Sequence, residues 1–404
     1  MRLADGLAVA LAASLPWSTS ATSALAVLLL IAIVPTLDLE RLRPVLLSPA
    51  GGLPVLLWLL ALVGMLWAFD VPLADRLNGL KSFHKLLFIP LLMAHAQRSE
   101  RGAFVMHGFL VSCTVLLAAS WFLIFVPEGI RGFVVPRGGP AVPAKDYIAQ
   151  NGEFAVCVFL LAAIALDAWN AQRRQLAAAV LLLVAAFVVN MLIVPSSRTA
   201  LVVMPVLLVL FACRNLPRRG AVALLLAGLV IGGIGWALSP ALRSNVDKAF
   251  NEVHEFRPDG QSTRAGERLE FWRKSIGFVE AAPLIGHGTG SIRDQFRRSS
   301  AGQSGMAALV AENPHNQTLA VGIQLGLLGA AALFALWMAH LLLFRGGGFA
   351  AWAGLVIVAQ NIVGSLFNSH LFDFTQGWGY VIGVGIAGGM MLKKVGSGPD
   401  IPRA

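Results

Sequence analysis

The groups able to do chemistry in this sequence are few and mostly basic. Arg198 follows Pro195-Ser196-Ser197 at the junction of two apolar runs. Lys81, His84 and Lys85 open another run, and Arg264 and Arg268 stand four apart in a polar stretch. Residues three and four apart share a helical face. His315 sits in Asn313-Pro314-His315-Asn316 just ahead of an apolar run, His287 lies between Gly286 and Gly288, and His370 and Asp373 fall in a short late loop. Guanidinium forks match phosphate oxygens in a bidentate way, so several Arg and Lys beside an apolar groove suit a lipid-linked phosphate or diphosphate. A histidine at the same interface suits a general base near neutral pH, with a hydroxyl as acceptor and the diphosphate as leaving group. A donor of that kind is already activated and requires no nucleotide. The sequence has no P-loop, no dinucleotide glycine fingerprint, no paired-Cys zinc spacing and no Asp-x-Asp pair, so the expectation is no cofactor and no metal.

Each of these residues also has a structural reading. Arg198 is then an interfacial anchor. Arg268 is the solvated partner of Glu267 or Glu270, and Lys81 and Lys85 are head-group anchors. His315 is a neighbour of a helix N-cap, and His287 shapes a turn. Joint placement on one side of a membrane favours the functional reading.

The elements that must position these groups follow from composition. Of 404 residues, 57% are hydrophobic and 13% charged, against about 45–50% and about 25% in soluble domains. One water-soluble core cannot hide so much apolar surface. The reading is an all-α polytopic membrane protein with about 12 transmembrane helices, near 4–17, 22–37, 52–69, 81–97, 103–126, 152–170, 175–194, 199–213, 220–238, 317–344, 348–367 and 377–392. Cys113, Cys157 and Cys213 lie in or beside these runs and read as packed or lipid-facing thiols. With the N-terminus inside, fourteen basic residues fall in short inner segments and seven, Arg131 and Arg137 among them, in short outer ones. That bias places both termini in the cytoplasm. The net charge of +10 is thus accounted for by loops and an anion site, and nucleic acid is not an expected partner.

Residues 239–316 break the short-loop pattern with ten basic and nine acidic residues, and a loop of this length in a compact protein is usually functional. Arg268, Glu270, Phe271, Trp272, Ile276 and Phe278 predict an amphipathic helix there, and Gly286, Gly288 and Gly290 predict a turn after it. The expected organisation is helices 1–9 over 1–238, a loop domain on the outer side of the membrane over 239–316, and helices 10–12 with a cytoplasmic tail over 317–404.

Four pieces of the chain resemble the O-antigen ligase and polymerase superfamily of bacterial envelope glycosyltransferases. They are Ser197-Arg198-Thr199, Arg268-Leu-Glu-Phe-Trp272, Pro283-Leu-Ile-Gly286-His-Gly288 and Asn313-Pro314-His315-Asn316. The resemblance implies a GT-C-like bundle in the bacterial inner membrane, with the active site facing the periplasm. It implies transfer of a glycan from an undecaprenyl pyrophosphate donor to a sugar hydroxyl of lipid A–core, inverting and without metal or ATP. Carried over, Arg198 and Arg268 hold the pyrophosphate and His315 activates the acceptor or assists departure. Arg264, Asn313, Asn316 and His287 line the substrate site, and Lys81 and Lys85 join them from position alone. The pattern after Asn-Pro and the single long late loop fit a ligase better than a polymerase. A transporter of lipid-linked sugars would require ionisable groups deep in several spans and an inverted repeat, whereas here the basic groups favour one face.

Overall fold

The computed structural model describes residues 1–127, 141–194, 197–238 and 240–396. Arg131, Arg137, Pro195, Ser196 and Arg403 lie outside the described residues. The elements are α1 Arg2–Ser14, α2 Thr19–Ile33, α3 Leu39–Leu47, α4 Pro49–Gly64, α5 Leu73–His84, α6 Phe88–Arg98, α7 Gly102–Phe125, α8 Tyr147–Asn170 and α9 Arg174–Ile193. They continue with α10 Arg198–Asn215, α11 Arg218–Leu238, α12 Pro240–His254, α13 Arg264–Ala281, α14 Ile292–Ser300, α15 Gln317–Leu343, α16 Phe349–Gly364 and α17 Phe374–Gly396.

Among the described residues, seven helical stretches are long and apolar enough to cross a membrane: Thr19–Thr36, α7, α8, α9, α10, Arg218–Ala237 and α15. An eighth arises if α3 and α4, bent by 80° at Ser48, form one broken span. The twelve expected positions all carry helix, but length and composition do not reach twelve spans. α1 has 13 residues, α6 has 11 and α16 has 16. At 1.5 Å per residue these measure about 20, 16 and 24 Å, against a hydrocarbon core of about 30 Å. The run expected at 81–97 is split by a 3-10 turn at Lys85–Leu87. Its second half, α6, is mostly buried and packs along α17.

Polar contacts between loops sort the helix ends into two sets. In one set Arg98 donates to the Thr36 carbonyl (2.6 Å), Arg214 to the Phe344 carbonyl (2.9 Å), and Lys393 pairs with Glu100. In the other Lys85 donates to Phe372 and Asp373, Lys145 to Leu15 and Thr375, and His315 to Asn368. α17 joins the two sets, with Lys393 near its end in the first and Thr375 at its start in the second.

A second, smaller core lies at the end that carries His315. Phe271, Ile292, Phe296, Ala311, Ala320 and Ile323 form it, drawn from α13, α14, the loop that follows α14 and the first turns of α15. These turns are set off by a break at Gly326, whose φ of 62° and ψ of −157° are open essentially to glycine alone. The amides freed beyond the break find new acceptors: Leu327 donates to Pro283 (2.7 Å) and Leu328 to Leu284 (3.2 Å). In return His287 and Gly288 donate to the carbonyls of Ile323 and Gln324 (2.8 and 2.9 Å). The segment Pro283–Gly288 is thus a backbone clasp that ties α13 to the kinked helix.

Gly326→Ala would place a Cβ within 2.4–2.6 Å of the backbone of Leu284 and Ile285. Its expected cost is about 3 kcal/mol or more, read as a lowered thermal unfolding transition in detergent. Gly277→Ala, in α13 with nothing within 4 Å of the new Cβ, leaves that transition unchanged or raises it.

Candidate functional site

The site is built on α13, α10 and two loops. Thr263 caps α13, its hydroxyl accepting from Gly266 N (3.1 Å). One face of α13 is anchored: Glu270 is fully buried and binds Arg273 (2.7 and 2.8 Å), and Lys274 donates to Ser300 Oγ (2.9 Å) and the Ala307 carbonyl. The amphipathic helix expected from the sequence is therefore present. The expected structural partners of Arg268 are engaged elsewhere, Glu270 with Arg273 and Glu267 with Ser262. Among the described residues Arg268 has no carboxylate and no hydrogen-bond partner.

Arg268 is half-buried, and the charges of Arg198 and Arg264 both reach it. Burial first, then Arg198 and Arg264, press its pKa below the ordinary guanidinium value. Arg198 Nη1 contacts Glu252 Oε2 at 3.3 Å, and the same oxygen accepts from Ala265 N at 2.9 Å in the first turn of α13. Burial opposes it, yet the Ala265 amide and the Arg198 guanidinium hold the Glu252 carboxyl below its usual range. One carboxylate is therefore already bound by a guanidinium and a helix N-terminus, the partners suited to an anion.

His315 lies where the field of Arg268 reaches it, with its ring stacked 6.3 Å from Phe271 at 20°. Its φ of 55° is uncommon for a residue with a side chain. Asn313 Oδ1 stabilises the turn by accepting from His315 N (2.9 Å) and from Ser369 Oγ (2.6 Å). Asn316 caps α15 by accepting from Leu319 N (3.1 Å), and its amide donates to the Leu366 carbonyl (3.1 Å). Both asparagines thus shape the loop. Burial, and then Arg268, push the His315 pKa below 6.5 against the opposing Asn368 hydrogen bond, so the ring is neutral at pH 7. His370, buried under the same field, falls to about 4 from burial and then Arg268.

The remaining expected residues do not converge on this cluster. His287 Nε2 donates to the Phe278 carbonyl (2.8 Å) and serves the clasp. Lys81 and Lys85, expected on one face, part company because the helix ends between them. Lys81 is exposed, whereas Lys85 is 8% exposed and donates to the carbonyls of Phe372 (2.9 Å) and Asp373 (2.7 Å). Sequence reasoning missed Glu252 and Asn368 entirely. Neither carries a motif, and both are found only through the groups they touch.

Residues 183–335 match the family model described as O-Antigen ligase. The match holds Arg198, Glu252, Arg264, Arg268 and His315 and excludes Lys81, Lys85, Asn368 and Asp373. No curated protein sequence matches the chain.

Lys85→Met is expected to destabilise the protein by about 2 kcal/mol, because two carbonyls lose a charged donor. Lys81→Ala, at an exposed position, leaves stability unchanged, and thermal unfolding of the two variants in detergent checks the contrast.

Proposed function

We propose, on the match of residues 183–335 to the family model described as O-Antigen ligase, that the chain is an O-antigen ligase. It transfers O-antigen polysaccharide from undecaprenyl pyrophosphate to a sugar hydroxyl of lipid A–core. The observation that carries this reading is Arg268: a half-buried guanidinium with no anionic partner among the described residues, beside two further arginines and a neutral histidine. That set calls for an anion of more than one charge, and a lipid diphosphate supplies it. Arg268 and Arg198 take the diphosphate oxygens, Arg264 adds its charge, and the charge that builds on the leaving group is met by fixed guanidinium groups. Neutral His315 takes the acceptor proton.

The same proposal holds that the remaining short helices complete a GT-C-like bundle of about twelve spans in the inner membrane. The site then faces the periplasm, with both termini in the cytoplasm. Direct transfer from a lipid diphosphate consumes no ATP and inverts the anomeric carbon.

The test uses purified chain in detergent with undecaprenyl-diphosphate-linked glycan and lipid A–core. Arg268→Ala and His315→Ala are expected to abolish transfer while the chain still folds, and near-normal activity in either removes that residue from the site. Arg198→Ala is expected to weaken donor use by about 2 kcal/mol or more, roughly 30-fold. Transfer should rise with pH through a midpoint below 6.5 and be level by pH 7, since only the neutral ring accepts a proton. A midpoint above 7 contradicts the assignment of His315 as base. Cells without the chain should accumulate lipid-linked polymer; accumulation of single lipid-linked units instead makes the chain a polymerase.

A further inference from the structure

His315 is joined to the last outer loop by one side-chain contact, His315 Nδ1 to Asn368 Oδ1 at 2.8 Å. We propose that Asn368, oriented by Asp373, is the positioning residue that keeps the His315 proton on Nδ1 and leaves Nε2 as the nitrogen that receives the acceptor proton. This rests on the function proposed above, and it adds two residues outside the segment that matches the family.

The argument turns on which end of an amide faces which partner. An ionised carboxylate only accepts, and Asn368 Nδ2 lies 2.6 Å from Asp373 Oδ2. The amide nitrogen therefore faces Asp373, and the amide oxygen faces His315. A carbonyl oxygen cannot donate, so Nδ1 must carry the proton. Among the described residues Nε2 has no hydrogen-bond partner. In the reaction the acceptor O–H gives its proton to Nε2 while its oxygen bonds to the anomeric carbon. The bond from that carbon to the diphosphate oxygen breaks, and the electron pair leaves with the diphosphate. The imidazolium that results still donates from Nδ1 to Asn368.

The loop is built to hold this orientation. Lys85 clamps the carbonyls of Phe372 and Asp373, and Asp373 N donates to the Ser369 carbonyl (2.8 Å). Five further ties join the loop to the His315 segment: Ser369 Oγ to Asn313 (2.6 Å), Leu371 N and Phe372 N to Gln317 Oε1 (2.9 and 3.2 Å), Gln317 N to the Ser365 carbonyl (2.9 Å), and Asn316 Nδ2 to the Leu366 carbonyl (3.1 Å). Arg268 and Glu267 face His315 from α13, while Lys85 and Asp146 face Asp373. Burial lifts the Asp373 carboxyl to about 6 against the pull of Lys85. Above that pH it is a pure acceptor, and below it the amide is free to turn over.

Two measurements test the assignment. Nitrogen-15 NMR of histidine-labelled chain, with His315→Gln identifying the signal, should show His315 protonated at Nδ1 and bare at Nε2 at pH 7.5. Asn368→Ala should convert it to a tautomer mixture. In the transfer assay Asn368→Ala should lower kcat about 100-fold with KM for the undecaprenyl-diphosphate donor within about twofold. The double variant Asn368→Asp with Asp373→Asn keeps an acceptor on Nδ1 and a donor behind it. It should recover most of kcat and shift the acid midpoint upward, because a carboxylate then stabilises the imidazolium. An Nε2-protonated ring in the wild type, or an unchanged kcat in a folded Asn368→Ala, overturns the proposal. A wild type with the expected tautomer but no transfer to lipid A–core counts against the ligase reading and leaves the positioning assignment standing.

Discussion

Positive charge gathered around Arg268, with few counter-charges among the described residues, is the constraint to which the rest of this structure answers. Two like charges about 10 Å apart repel by on the order of 2 kcal/mol at the effective dielectric of a protein surface. Arg268 meets Arg198 and Arg264 from within a half-buried position, and Glu252 is committed to Arg198 and the start of α13. A helix carrying such charges stays in place only if its other face is fixed. The buried Glu270–Arg273 pair, the Lys274 bonds and the packing of Phe271 on Phe296 (5.4 Å, edge to face) supply that anchorage. The unfavourable electrostatics remain available to an anionic ligand.

The second requirement is that this surface helix keep register with helices in the bilayer. The Pro283–Gly288 clasp achieves it through main-chain hydrogen bonds, which are indifferent to side-chain flexibility. At Gly286 a Cβ would approach the backbone of Gln324 and Gly326 within 2.5–2.6 Å. The two backbones therefore touch where any larger residue would separate them. Breaking α15 at Gly326 lets its first turns join the cap core while the remainder runs into the bundle. His315, immediately before α15, inherits its position from both bodies.

Much of this was legible in the sequence and some was not, for identifiable reasons. Apolar runs located the helices, because lipid-facing surface must be apolar regardless of fold. The spacing of Arg268, Phe271 and Trp272 announced α13, and charge placement put Arg198, Arg268 and His315 at one end. Lys85, expected from its place at the head of an apolar run to guide the diphosphate head, instead donates inward to the carbonyls of Phe372 and Asp373, a contact that only the loop ending at Asp373 supplies. The break at Gly326 is invisible within Leu325-Gly326-Leu327-Leu328, an ordinary apolar stretch until Pro283 and Leu284 offer replacement acceptors. Glu252 and Asn368 were beyond reach because their roles consist of partners 54 and 53 residues away.

The fixed charges and the neutral histidine impose on each other a single division of labour. A guanidinium near an imidazole lowers the ring's affinity for a proton, which disfavours His315 as an acid at neutral pH and leaves its lone pair free. In the proposed reaction the same guanidinium groups would meet the negative charge that grows on a departing diphosphate, and that leaving group would not call for a proton from the histidine. Had the cluster been carboxylates, the ring would be an imidazolium and the anion would be repelled. Polarity of the cluster, more than the identity of any one residue, therefore fixes which partner gains a proton and which gains charge.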